Sequence, residues 1–287
     1  MRATDFVATY AKRGIAAWER AALDMIARGK IAYPPILDVP VETTDGRHRG
    51  VFHAAGDYLA IGEEGDFMRL PLLPRSAQLA ADQFAVLLPT AKMVDAIWRA
   101  APVKLAVGGE RPNLGANLAQ YLAHSRKVDA ALAAAGAGSL PSAGSMKDVI
   151  VARTIPGDRG PRPVRPAKVV IYGWHGPDGR KVQGKSDVHG DSYVDYSHGV
   201  RLISPNMTVD GRSTTVAEVL RDPELWSMLS DEGPIPPSSG RSNGGFDSPG
   251  YPLGEPGRGN PLLAMFDGDR YARGLNLWTD QLFGRTT

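Results

Sequence analysis

Apolar positions along the chain alternate between two periods, and the change of period divides it into elements. Ile15, Trp18, Ala22 and Met25 recur at helical spacing, and Gly29 follows as a stop. Pro34 and Pro35 end that pattern. From Ile36 to Ile61 the apolar residues Val39, Val41, Val51, Phe52, Tyr58 and Leu59 surround Thr44-Asp45-Gly46, which predicts strands and a hairpin. Pro74 opens a helix carrying Leu79 and Phe84, and Thr90 caps another with Met93, Val94, Ile97 and Trp98 on one stripe. A longer helix is predicted from Asn113 to Ala135, with Leu114, Leu118, Tyr121, Leu122, Val128 and Leu132 on its apolar side. The Ala/Gly/Ser run from Ala133 to Ser145 reads as a mobile connection.

Three strands are then expected: Val149 to Ala152, Lys168 to Trp174 and Ser192 to Ile203. A turn at Gly176-Pro177-Asp178-Gly179 follows the middle one. Thr215 and Glu218 have capping-box spacing ahead of Val216, Val219 and Leu220, and Pro223 shortens that helix. The sum is an α+β fold with a mainly antiparallel central sheet flanked by helices. It divides into an N-terminal helical segment (1–35), a core domain (36–232) and a Gly/Pro-rich C-terminal extension (233–287) that offers a homo-oligomer contact. No internal repeat is visible.

Composition narrows the chemistry. The 287 residues are 43% hydrophobic and 22% charged, as expected of a folded protein, and 33 basic against 31 acidic residues leave a net charge of +2. So weak a field makes nucleic acid an unnatural partner. There is no cysteine, which excludes disulfides, thiolate nucleophiles and cysteine-ligated zinc. No apolar run is long enough to span a membrane, and residues 1 to 30 read as an amphipathic helix, not a secretory signal; the default compartment is the cytoplasm, with export left open. Gly108-Gly109 lacks the strand-to-helix setting of a phosphate loop, and no nucleotide fingerprint occurs elsewhere.

Candidate chemistry is concentrated late in the chain. His175, His189 and His198, three of six histidines, fall between residues 175 and 198, where uniform scatter puts about half of one. Asp195, Ser197 and Arg201 accompany them, with Trp174, Tyr193 and Tyr196 as stacking surfaces and Lys147 at a nearby strand end. On a regular strand Tyr193, Asp195, Ser197 and Arg201 share one face and His198 takes the other, unless Gly199 forms a bulge that turns His198 toward Asp195. Two chemistries fit. In one, His189, Asp195 and another histidine, His198, hold zinc and leave a position for water. In the other, a histidine paired with Asp195 is the base, Arg201 or Lys147 stabilises negative charge, and Ser197 is a candidate nucleophile outside any Gly-x-Ser-x-Gly elbow. Against both stands a buried network that merely satisfies polar groups in a sheet.

The strings Asp57-Tyr58-Leu59-Ala60-Ile61-Gly62, Leu88-Pro89-Thr90 with Lys92-Met93-Val94-Asp95, Tyr172-Gly173-Trp174-His175 and Tyr193-Val194-Asp195-Tyr196-Ser197-His198-Gly199 together resemble an uncharacterised bacterial protein family, often found within larger exported proteins. The resemblance spans Ile36 to Glu232. It implies one domain joining the Trp174 to Arg201 region to the earlier helices, and it implies no catalytic assignment. The His189-to-Asp195 interval also resembles the ligand segment of zinc peptidases that cut peptidoglycan cross-links, one residue short of that pattern. The expected activity is therefore hydrolysis of a polar polymer, a cell-wall glycan or peptide. The alternatives are a carbohydrate- or protein-binding module without chemistry, and a structural oligomerising domain.

Overall fold

The computed structural model describes residues 1–84 and 86–235. Residues 236–287, most of the C-terminal extension and the oligomer contact expected of it, lie outside the described residues. The described residues form an α+β fold. Its helices are α1 (Ala3–Tyr10), α2 (Ile15–Ala27), α3 (Pro74–Gln83), α4 (Ala91–Ala100), α5 (Leu118–Ala134) and α6 (Val216–Arg221). The strands that build the main sheets are β1 (Ile31–Ala32), β2 (Ile36–Glu42), β3 (Arg49–Ala55), β4 (Ala60–Glu63), β5 (Asp66–Arg69), β6 (Lys147–Val149), β7 (Ile171–His175), β8 (Lys181–Ser186), β9 (His198–Gly199), β10 (Ile203–Val209) and β11 (Arg212–Thr215). No described helix is long and apolar enough to cross a membrane.

Two four-stranded sheets carry the fold, in the orders β11-β10-β3-β2 and β8-β7-β6-β9, beside a three-stranded sheet β1-β4-β5. All their pairings are antiparallel except β9 with β6, which sets His198 opposite Lys147 and Gly199 opposite Asp148. Residues 200–202 carry the chain from one large sheet to the other, and Leu59 and Ala55 donate backbone hydrogen bonds to Val200 and Leu202 there. One hydrophobic core runs through both sheets, with Val39 and Phe52, Met93 and Ile97 of α4, and Val149, Ile171 and Val200 all buried in it.

Local chemistry explains most element boundaries. Gly29 (φ 67°) follows α2 in the left-handed region that glycine enters without strain. The Thr90 hydroxyl accepts the Met93 N–H at 3.2 Å to start α4, and Thr215 and Glu218 form the reciprocal capping box of α6. Three expectations are corrected. The long helix begins at Leu118, not Asn113, because the Asn117 side chain accepts the Gln120 N–H; Leu114 falls outside the helix and is exposed. The Ala133–Ser145 run is a connection that includes a short strand, Ser142–Ala143, paired with Val103–Lys104. Ser192 to Ile203 is not one strand, and β8, beyond the Gly176–Gly179 turn, was hidden by its polar sequence.

Two buried charged groups position whole elements. Arg69, 2% exposed, bonds Asp57 at 2.6 Å and Asp129 at 2.7 Å, tying β5 to α5. Helix α3 has no cap of its own, because Leu73 carries no acceptor. Glu19 of α2 supplies it: its carboxylate accepts the Leu73 N–H at 2.7 Å and the Ser76 hydroxyl at 2.9 Å. Burial pushes the Glu19 carboxyl up to about 7, against the opposing pull of those two hydrogen bonds. Because the folded-state value is raised, Glu19 contributes its full stability below about 4.5 and loses it as pH rises to about 7. Glu19→Gln is predicted to abolish this slope. In urea titrations between pH 4.5 and 8, the wild-type-minus-variant stability difference should fall by the order of 3 kcal/mol as pH rises, and a pH-independent difference would contradict the assignment.

Candidate active site around Asp195

The site is built on a turn. Asp195 is 1% exposed, and its Oδ1 accepts the Ser197 N–H at 2.9 Å while the His198 N–H bonds the Asp195 carbonyl at 3.1 Å. An aspartate that captures the N–H two residues ahead folds the chain back on itself, which is why this stretch leaves the extended conformation. The reversal brings the His198 Nε2 to 3.9 Å from Asp195 Oδ1, although strict alternation would place the two on opposite faces. The device is this turn and not a bulge at Gly199. Gly199 is needed for another reason: a Cβ there would lie 2.4 Å from the Tyr58 ring.

Three side chains complete the carboxylate's shell. The Ser197 hydroxyl donates to Oδ1 at 2.6 Å, and the Tyr193 hydroxyl (3.1 Å) and the Asn113 amide (2.8 Å) donate to Oδ2. Burial pushes the Asp195 carboxyl up, but His198, the Lys147 charge and both Ser197 hydrogen bonds outweigh it and hold the group well below the usual carboxylate range. Asp195 is thus held as an anion and is a weak base. Ser197 is 1% exposed and its hydroxyl donates to a carboxylate too weakly basic to take the proton, so it serves as a positioning group and not as the nucleophile it was expected to be.

Two histidines and a lysine surround this anion. His198 is fully buried and neither ring nitrogen has a hydrogen-bond partner among the described residues; burial pushes its pKa down to about 3. His189 is half-buried and stacks on Tyr193 with ring centroids 4.1 Å apart, and no described residue hydrogen-bonds its ring. Burial and the Lys147 charge lower its pKa, more than Asp195 restores it. Its carrying segment is pinned by the buried Asp187, which Arg162 and Arg165 bond at 2.6 and 3.0 Å. Lys147 enters from β6 by its register with His198. Its ammonium is half-buried, lies 5.8 Å from the Trp174 ring centre, and makes no hydrogen bond or ion pair with a described side chain; burial lowers its pKa.

Aromatic rings wall the site. Trp174 occupies the left-handed region at φ 53°, uncommon for a bulky residue, and its indole donates to the Val107 carbonyl at 3.3 Å. Tyr196 is buried edge-on to Trp174 and packs on His124 at 4.9 Å. The loop before α5 presses onto both: a Cβ on Gly109 would sit 2.6 Å from the Tyr196 hydroxyl and 3.1 Å from Trp174, so this glycine serves close backbone approach.

Two expected site residues lie elsewhere. His175 bonds Asp95 of α4 at 2.8 Å and stacks on Trp98, and Tyr172 and Lys181 share the same carboxylate. It is 4% exposed and belongs to the packing of α4 on β7. Arg201 is sealed at 1% exposure, its guanidinium 4.2 Å over the Tyr58 ring, its Nη1 donating to the Ala55 carbonyl, and its Nε 3.4 Å from Asp148. It braces the junction between the large sheets and cannot meet a substrate. Nor do His189, Asp195 and His198 form a ligand set: among the described residues no group of three or more His, Asp or Glu is arranged to hold a metal ion.

Asn113 is the site residue that sequence reasoning missed. Asn113 reaches Asp195 across 82 positions, and His124, buried behind Tyr196, bonds the Ser145 carbonyl at 3.1 Å. Neither has a local signal, since only α5 and its preceding loop bring them here.

Comparison of the chain with protein-family models, with curated proteins and with solved structures finds no match in any of the three.

His198 offers a direct test of this site. Its pKa is depressed from 6.5 to about 3, so the stability it contributes is complete above pH 6.5 and lost as pH falls toward 3. His198→Phe keeps the ring and leaves no nitrogen unmet, so it is expected to be at least as stable as wild type at pH 7. It should also gain the order of 2–3 kcal/mol relative to wild type on moving to pH 4.5. Denaturant unfolding at the two pH values measures this; a variant that tracks the wild type at both would refute a neutral, unpartnered ring.

Proposed function

We propose that the chain is a hydrolase of a polar polymer that cleaves an acyl bond, amide or ester, with cell-wall peptide as the favoured substrate. The observation that carries this reading is His189, an imidazole with a lowered pKa whose ring no described residue hydrogen-bonds, near the buried Asp195 carboxylate and the Lys147 ammonium, which pairs with no described side chain. A lowered pKa keeps His189 in the proton-accepting form at neutral pH, which general-base activation of water requires. Lys147, half-buried and ion-paired to no described residue, is the group to stabilise an oxygen that becomes negative in a tetrahedral intermediate. Asp195 keeps the imidazolium formed during the reaction from being a lone buried cation.

Glycoside cleavage is less well served. That chemistry uses two carboxyl groups flanking the bond, one of them able to give up a proton. Here the one carboxylate among these residues, Asp195, already accepts four hydrogen bonds and is held ionised. A second reading, a binding module without chemistry, draws on the half-exposed Trp174 and Tyr193 rings; it predicts affinity for a polymer that survives loss of His189.

Purified peptidoglycan and soluble peptide and ester surrogates provide the assay. His189→Ala should lower kcat/KM by about 10²- to 10⁴-fold and Lys147→Met by about 10²- to 10³-fold. Ser197→Ala should retain activity within about tenfold, because water and not Ser197 is the nucleophile. The acid limb of the kcat/KM profile should lie below 6.5, the ordinary histidine value. Absence of product from folded wild type, or full activity in His189→Ala, would remove the proposal.

A further inference from the structure

Lys147 has surroundings that a stabilising cation alone does not need. Buried or half-buried lysines ordinarily end on a carboxylate or a carbonyl, since an ammonium withdrawn from water has three donors to satisfy. Lys185 shows the usual solution in this chain: its side chain is 8% exposed and its Nζ meets Glu232 at 2.7 Å. Lys147 is withdrawn too, yet it makes no ion pair or hydrogen bond with a described side chain, and its Nζ lies 5.8 Å from the Trp174 ring centre. Its backbone is fixed on both sides, by pairing with Gly173 in β7 and with His198 in β9, so the stem emerges from a rigid sheet. Gly173 adds no side chain beside it.

We infer that Lys147 is a carbonyl-reactive amine that forms a reversible imine with a small polar aldehyde or ketone, such as the open-chain end of a reducing sugar. The nitrogen lone pair attacks the carbonyl carbon, and the C=O π electrons move to oxygen. A proton passes from nitrogen to that oxygen, giving a carbinolamine. Loss of the hydroxyl with a second proton, as water, leaves the C=N bond, so atoms and charge balance without an oxidant or reductant. His189, near enough for the Lys147 charge to lower its pKa and hydrogen-bonded by no described residue, is the group assigned to carry protons between nitrogen and oxygen. A lysine desolvated in this way gives up its proton more readily than one in water, in keeping with the lowered Lys147 pKa. The proposal needs an accessible amine at this position and does not rest on the hydrolytic reading; a chain that cleaves nothing could still trap a carbonyl.

The test uses the full-length wild-type protein, so no variant has to fold. Limiting glyceraldehyde with cyanoborohydride, which reduces the imine to a stable secondary amine, is applied from pH 5.5 to 9, and adducts are located by peptide mass mapping. Exposed Lys12 serves as the internal reference. At pH 7 Lys147 is expected to be labelled at least tenfold faster than Lys12, and its rate should level off at a lower pH. Labelling of Lys147 at or below the Lys12 rate, or the same pH dependence for both, would overturn the inference. Equal labelling accompanied by measurable peptide hydrolysis would overturn it while leaving the hydrolase reading in place.

Discussion

Everything in the candidate site depends on one carboxylate that has been removed from water and kept charged. An isolated buried carboxylate is strongly unfavourable, and proteins answer either by protonating it or by surrounding it with donors. Asp195 takes the second course. Two donors come from Ser197, one from the phenol of Tyr193 and one from the amide of Asn113. Those four bonds do more than solvate a charge. They fold residues 193–198 into a turn, draw the loop before α5 onto the sheet, and fix the phenol on which His189 stacks. The buried ring of His198, neutral and hydrogen-bonded by no described residue, lies 5.7 Å from the Tyr193 ring centre.

The same logic, with opposite outcome, appears at the junction of the two large sheets. There Asp148 neighbours Arg201, and Tyr58 donates to Asp148 at 3.1 Å while its ring lies under the guanidinium. This cluster is closed: every member is buried and none faces a substrate. Lys147 and Asp148 are consecutive in β6 and so project to opposite sides, the lysine toward Asp195 and the aspartate toward Arg201. A single strand thereby feeds a structural ion pair on one face and a reactive amine on the other.

How much of this was legible follows from the range over which each signal acts. Caps and stops are local, so the Thr90 and Thr215 helix starts, the Gly29 stop and the hairpin about Thr44-Asp45-Gly46 could be placed from neighbouring residues. The concentration of chemistry at His189, Asp195 and His198 was visible as composition. Its geometry was not, because a strand pattern and an Asx turn are both compatible with Tyr-Val-Asp-Tyr-Ser-His, and only the hydrogen bond from Ser197 to Asp195 decides between them. His175 was misplaced because its partner, Asp95, lies 80 positions earlier. Arg201 was misplaced for the same reason, its ring partner being Tyr58. Polar strand β8 escaped notice because its side chains are exposed or half-buried and give no apolar alternation.

Whether Asp195 remains ionised while buried is measured by carbon-13 NMR of protein labelled at aspartate carboxyl carbons. With the resonance assigned through Asp195→Asn, its midpoint is compared with the ordinary aspartate value of about 3.9. The Asp195 signal should hold its ionised shift through that value, down to the onset of acid unfolding. A midpoint at or above the ordinary value would mean that the surrounding hydrogen bonds and the Lys147 charge do not hold the carboxylate ionised, and the account of the turn, the neutral histidines and the site built on them would fail with it.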